Sequence, residues 1–188
     1  MKNEYLYFLV LLLFVTTQQL NAQDHNEHKE ASHHEKLYKH NLGLFIGFTF
    51  IPNTLSSGEK ESFVAPTLGL DYSYKFNHKF ALGIQNEFEL ASYEIEKEHN
   101  EETLKREYAF VSALVFIYEP VEWFSLFAGP GYEFEHHESF FLARIGTDFI
   151  KRFEDGWAVA LTFTVDFKEI NTTPAFGITI LKGLGKSK

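Results

Sequence analysis

Cysteine is absent from the 188 residues, which excludes a disulfide framework and any thiolate-bound metal centre. Basic residues are few beside acidic ones, 17 against 26, for a formal net charge of −9. Phosphate binding requires a cationic surface, so nucleic acid is not an expected partner. Long apolar runs are missing too: the run Tyr5 to Val15 (YLYFLVLLLFV) falls well short of the roughly 20 residues that a membrane-crossing helix requires. No His-Glu-x-x-His metalloprotease motif occurs. Gly129-Pro130-Gly131 lies inside a strand pattern and opens no helix, which excludes a phosphate-cradling loop.

The short apolar run has another reading. Lys2 precedes it, and Asn21-Ala22 follow a polar stretch after it, the organisation of a secretory signal peptide with cleavage expected after Ala22. Loss of residues 1–22 removes one base, Lys2, and one acid, Glu4, so the net charge stays at −9. Residues 23–40 (QDHNEHKEASHHEKLYKH) are polar, show no apolar period and are expected to form a mobile tail.

What is abundant is aromatic carbon, with 21 phenylalanines and nine tyrosines spread along the chain. In Trp157 to Glu169 (WAVALTFTVDFKE) the bulky Trp157, Val159, Leu161, Phe163, Val165 and Phe167 alternate with Ala158, Ala160, Thr162, Thr164, Asp166 and Lys168. Such strict period-two alternation is a strand with two unlike faces. Strand and turn then follow one another in eight segments, 41–51, 62–76, 79–94, 107–118, 123–135, 140–151, 157–168 and 174–183, of which 107–118 shows the least contrast because Val111, Val115 and Ile117 are as apolar as the opposite parity. Their lengths, about 10 to 16 residues, exceed the usual soluble strand and match the span of a tilted strand crossing a bilayer. Tight connections (Asn77-His78, Glu119 to Glu122, Arg152 to Gly156) alternate with longer polar ones, notably Pro52 to Glu61 and Ile95 to Arg106. Outer-membrane barrels have this rhythm, short turns on the periplasmic side and longer loops outside.

Glycine placement indicates which face is inside. Gly43, Gly47, Gly69, Gly83, Gly129, Gly131, Gly146 and Gly177 all fall on the less apolar parity. On an exposed strand surface they would only weaken the strand, whereas inside a narrow eight-stranded barrel they make room for neighbouring side chains. The bulky parity would overfill such an interior, so it is expected to face lipid. Tyr72, Tyr74, Phe76, Phe80, Tyr118, Trp123 and Trp157 then gather near the tight turns as an interfacial girdle. The polar parity becomes the lumen, with Asp71, Gln85, Glu87, Glu89, Glu133, Arg144, Asp148, Thr162, Thr164, Asp166 and Lys168. Charges there require partners. A four-residue loop at 137–140 would set Glu133 opposite Arg144, predicting a lumenal Glu133–Arg144 ion pair with Asp148 or Glu87 sharing the guanidinium.

The runs APTLGLDYSYKFNHKFALGIQNEFEL (Ala65 to Leu90), LFAGPGYEFE (Leu126 to Glu135) and RIGTDFIKRFEDGWAVALTFTVDF (Arg144 to Phe167), with Leu20-Asn21-Ala22-Gln23 at the expected cleavage site, resemble small outer-membrane β-barrel proteins of Bacteroidetes-type bacteria. The resemblance covers about residues 41–184 and carries no catalytic motif. It implies an all-β, eight-stranded antiparallel up-and-down transmembrane barrel like those of OmpA and OmpX, at residues 41–185. It also implies insertion by the barrel-assembly machinery into the outer membrane of a Gram-negative bacterium, with outer-membrane lipid as partner and both termini in the periplasm. Such chains usually end on an aromatic residue, whereas this one ends Leu184-Gly185-Lys186-Ser187-Lys188.

Two histidine groups remain. His25, His28, His33 and His34, with nearby Asp24, Glu27, Glu30 and Glu35, offer imidazole and carboxylate ligands suited to weak capture of Zn, Cu or Ni; the competing reading is a solvated linker. His137 stands two residues before Ser139 and resembles the His-x-Ser of outer-membrane lipid A deacylases, but that family's layout, with the motif near the C-terminal end, is not reproduced. The leading expectation is therefore a monomeric, non-enzymatic envelope barrel without a tightly bound cofactor, contributing to membrane integrity or surface interaction. A metal-capturing periplasmic tail is the alternative, and a lipid-modifying enzyme comes third.

Overall fold

Strands that face lipid have no water to satisfy an open edge and keep every backbone hydrogen bond by closing on themselves; these strands form a closed wall. The computed structural model describes residues 38–56, 59–96, 103–136, 138–169 and 171–186. Their strands are β1 (Tyr38–Ser56), β2 (Glu59–Lys75), β3 (Phe80–Glu89), β4 (Ser92–Glu96), β5 (Thr103–Glu107), β6 (Phe110–Val121), β7 (Phe124–Phe134), β8 (Phe140–Arg152), β9 (Trp157–Lys168) and β10 (Thr172–Lys186). Eight of them, in the order β1-β2-β3-β6-β7-β8-β9-β10, form an antiparallel up-and-down wall. The β10–β1 ladder, from Tyr38↔Lys186 to Thr49↔Ala175, closes it. Among the described residues no helix is long and apolar enough to cross a membrane. The expected signal peptide and most of the expected tail, with His25, His28, His33 and His34, lie outside the described residues, as does His137.

The two faces divide as the glycine pattern predicts. Leu42, Leu44, Ile46 and Phe48 on β1, Leu68 and Leu70 on β2, and Leu161 and Phe163 on β9 are all exposed on the outer face. Thr67, Glu87, Glu133, Arg144, Thr162 and Asp166 point inward and are buried. Strand β6 is apolar on both parities, yet it follows the rule: Val111, Ala113 and Val115 are buried while Leu114 and Phe116 are exposed. Near the tight turns the exposed set includes Tyr72, Phe76, Phe80, Tyr118, Trp123 and Trp157.

The tight turns are held by local bonds. Asn77 Oδ1 accepts hydrogen bonds from the backbone N–H groups of Lys79 at 2.8 Å and Phe80 at 3.0 Å, the Asx-turn use of this residue. Replacing Asn77 by alanine should lower stability by about 1 kcal/mol and leave the fold intact, read as a shifted denaturation midpoint. At the β8–β9 turn of the same end, Asp155 (φ 60°) and Gly156 (φ 77°) take left-handed conformations, and Lys182 Nζ donates to Asp155 O at 2.8 Å while lying 4.6 Å from the Trp157 ring centroid.

The loop end departs from expectation. Residues 52–61, expected as a loop, mostly continue β1 and β2 into a longer hairpin, Thr54↔Glu61 to Ser56↔Glu59. The expected strand 79–94 breaks after Glu89, and the expected loop 95–106 contributes to a second hairpin, β4–β5. This hairpin does not continue the wall. Ile95 pairs with Thr54 of β1, beyond the point where the β1–β10 ladder ends at Thr49↔Ala175; Pro174 follows there, and proline has no N–H to extend a ladder. From the β3–β6 edge the hairpin thus crosses the barrel mouth and uses the edge that β10 leaves free.

Candidate functional site in the barrel lumen

The lumen is filled by three groups of side chains, each supplied by several strands. At the tight-turn end Glu119 of β6 accepts from Lys75 Nζ of β2 and from Arg152 of β8, both at 2.7 Å. Tyr38 lies against Gly183 and Gly156, where a Cβ would come within 2.5 Å and 2.7 Å of its side chain. Further in, two phenylalanines occupy space that glycines leave. Phe45 sits over Gly47 and Gly177, and Phe127 over Gly146; a Cβ at those glycines would fall 2.5, 2.6 and 2.3 Å from ring carbons. Hydroxyls bridge neighbouring strands beside them, Thr49 with Thr67 at 2.8 Å and Thr162 with Thr179 at 2.7 Å.

The third group is ionic. Arg144 of β8 is completely buried (0% exposed). Its guanidinium bonds Glu87 of β3 at 2.6 and 3.0 Å, Asp166 of β9 at 2.7 and 2.8 Å, and Gln85 at 3.4 Å. Two bidentate carboxylates on one guanidinium use its planar donor set nearly to capacity. Glu133 of β7 forms a second centre, ion-paired to Lys168 of β9 and to Arg106 of β5.

The predicted Glu133–Arg144 pair does not form. Strand parity sets which side chains face inward, but the hairpin loop sets the register, and here Glu133 stands opposite Phe140 while Arg144 stands opposite Gly129. The turn closes earlier than a loop at 137–140 would, with the Glu135 carboxylate accepting from the Glu138 N–H within it at 3.3 Å and from the Glu107 N–H of β5 at 3.2 Å. The register moves by four positions, which removes Glu133 from the reach of Arg144. Of the two residues expected to share the guanidinium, Glu87 does so; Asp148 instead accepts from Ser125 Oγ at 2.9 Å and Thr162 Oγ at 2.8 Å.

Two residues of the site carry no role in the sequence pattern: Arg106 falls in the expected loop 95–106, and Tyr93 near the end of the expected strand 79–94. Tyr93 and Arg106 are paired across the β4–β5 hairpin and both turn down into the mouth. Tyr93 donates to Glu89 at 2.7 Å and packs with Phe63 against Ile51 and Ala65. Burial, and next the Glu89 carboxylate, push its phenol above the ordinary tyrosine value, which keeps it a hydrogen-bond donor. Arg106, 1% exposed, meets Glu133, donates to Glu138 O at 2.9 Å and lies 5.1 Å from the Phe140 ring centroid. The lumenal parity of β6 is odd while Arg106 is even-numbered. The phase changes at Tyr108, which adopts φ 50°, and no sequence signal marks that change.

The site is a set of mutually neutralised charges under a cap, with every Arg144 donor direction turned to protein acceptors. Among the described residues no group of three or more histidine, aspartate or glutamate side chains is arranged to hold a metal ion. Ser139 Oγ, the nearest described member of the His-x-Ser pair, is turned to its own loop backbone at Glu135, at 3.4 Å.

No family model matches this chain, and no curated protein matches it in sequence. Solved structures do match in shape. The N-terminal β-barrel domain of Pseudomonas aeruginosa OprF aligns with a TM-score of 0.51 at 10% identity, covering 76% of this chain and 97% of that one. The attachment invasion locus protein Ail of Yersinia pestis aligns at 0.50 with 10% identity, over 79% and 100%. Neisserial surface protein A aligns at 0.50 with 6% identity, over 78% and 97%. At such identities the likeness concerns the fold, and the fold is the closed eight-stranded antiparallel β-barrel of small outer-membrane proteins.

Proposed function

We propose that the protein is a monomeric, non-enzymatic integral barrel of the Gram-negative outer membrane. Its tight turns and termini face the periplasm and its loops face out, and it serves envelope integrity or contact at the cell surface. The observation that carries this is the inversion of polarity: Leu70, Phe48, Ile178 and Phe116 are half exposed or more, or close to it, on the outer wall, while Arg106, Glu133 and Arg144 are sealed inside. In water that wall would be a very large contiguous apolar patch, far beyond what soluble monomers show; in lipid it is at home. The filled lumen argues against a pore, because side chains from all the strands meet across it.

The test is fractionation and electrophoresis. The mature protein should remain with outer membrane through carbonate extraction. In detergent it should migrate differently before and after boiling, as closed barrels do when unfolded. In planar bilayers it should show no steady conductance above baseline. Recovery as a soluble periplasmic species would overturn the reading.

A further inference from the structure

We propose that the β4–β5 hairpin is a hinged cap, latched by Arg106, which can lift from the mouth and open the polar lumen to the loop side while the barrel stays intact. Three observations point to it. First, the hairpin is joined to the wall through interrupted strand. Regular pairing stops at Glu89 and resumes at Ser92 on one side, and stops at Glu107 and resumes at Phe110 on the other, the joint being bridged by single backbone bonds from Glu89 N–H to Ala109 O, Tyr108 N–H to Ala91 O and Leu90 N–H to Pro66 O. Tyr108 there holds a left-handed φ of 50°, a conformation that a residue with a Cβ adopts at some cost. Positions of this kind absorb large backbone rotations at hinges.

Second, among the described residues the hairpin meets the rest of the barrel through identifiable contacts. Toward β1, β2 and β3 these include the Thr54↔Ile95 pairing and Tyr93 against Phe63, at 5.8 Å between ring centroids, with its bond to Glu89. On the β7–β8 side they include those of Arg106 with Glu133, Glu138 O and the Phe140 ring, and the Glu107 N–H donated to Glu135 at 3.2 Å. Third, much of what the cap covers is polar and can be hydrated. Glu89, Glu133 and Lys168 lie beneath it, all buried with the cap down. Lifting it would expose those charges to water together with the small apolar cluster of Ile51, Ala65 and Phe63 against which Tyr93 packs, so the apolar surface that opposes the motion is confined to that side of the mouth. The Arg144 centre, bonded only to wall strands β3 and β9, would hold the barrel together meanwhile.

Hydrogen exchange of the full-length protein in detergent micelles tests this. Arg106→Ala should accelerate exchange of the amides of 92–96 and 103–107 at least tenfold and leave those of 82–88 and 111–117 unchanged. Because the chain has no cysteine, the opposed positions Thr54 and Ile95 can be replaced by a cysteine pair. Its oxidation should slow exchange of the same hairpin amides at least tenfold, reversibly with reductant. If Arg106→Ala speeds hairpin and wall alike, or neither, the hairpin is part of one cooperative unit and the proposal fails. Should that variant not give the heat-shifting folded band, the disulfide comparison decides alone: equal exchange in oxidised and reduced forms overturns the cap.

Discussion

Replacing Arg144 by alanine should destabilise the barrel by about 3–5 kcal/mol, the scale expected when one partner of a buried ion pair is removed and the other is stranded. Two carboxylates would be stranded here, Glu87 and Asp166, each now bonded to the guanidinium by two contacts of 2.6 to 3.0 Å. Guanidinium unfolding in micelles measures the change. The same reasoning predicts a rescue: neutralising the site as a whole, with Glu87→Gln and Asp166→Asn added to Arg144→Met, should recover most of the loss. A cost of Arg144→Ala under about 1 kcal/mol would mean that water reaches the carboxylates and replaces the guanidinium.

Gly146→Ala should cost about 1–3 kcal/mol by overpacking, although it adds a single methyl. The new carbon would lie 2.3 Å from Cζ of Phe127 and 2.6 Å from the Phe163 carbonyl oxygen. One obstacle is a side chain and the other is backbone, so Gly146→Ala combined with Phe127→Leu should regain part of the stability and not all of it. Gly43→Ala supplies the contrast. Its nearest atoms, at 3.1 and 3.2 Å, belong to the side chains of Thr179, Asp71 and Leu181, which can shift by a few tenths of an ångström. Its denaturation midpoint should move far less than that of Gly146→Ala.

Much of this barrel is legible in the chain because a strand wall has a period of two and only two faces. Glycine marks the inward face at Gly47, Gly146 and Gly177, where Phe45 and Phe127 need the room, and bulk marks the outward one. Even β6, where both parities are apolar, is settled by its neighbours' parities once the wall is closed. Arg144 could be recognised as a lumenal hub for the same reason. Its partners could not, because they follow from register, and register depends on where the β7–β8 turn closes, here around Glu135 and Glu138. Tyr93 shares the odd, lumenal parity of Gln85, Glu87 and Glu89 in the expected strand 79–94, but Arg106 was out of reach for a different reason. IEKEHNEETLKR is as polar as a solvated loop, and the hairpin it helps form gains its burial from the mouth it crosses, a tertiary surface with no local periodicity.

The β10–β1 ladder has a consequence for how the chain comes to be folded. Tyr38 pairs with Lys186, so the last contacts to be made join the two ends of the described chain, and no shorter stretch can be edge-free. Every partial wall presents two open strand margins, and long-range closure of this kind is the slow part of assembling a sheet. The same adjacency makes the connectivity almost circular. A short linker between the paired ends, with the chain cut between Ser56 and Glu59, would preserve every pairing of the wall while moving the final closure from β10–β1 to β1–β2. The order of synthesis and the architecture of the wall are, in this molecule, separable properties.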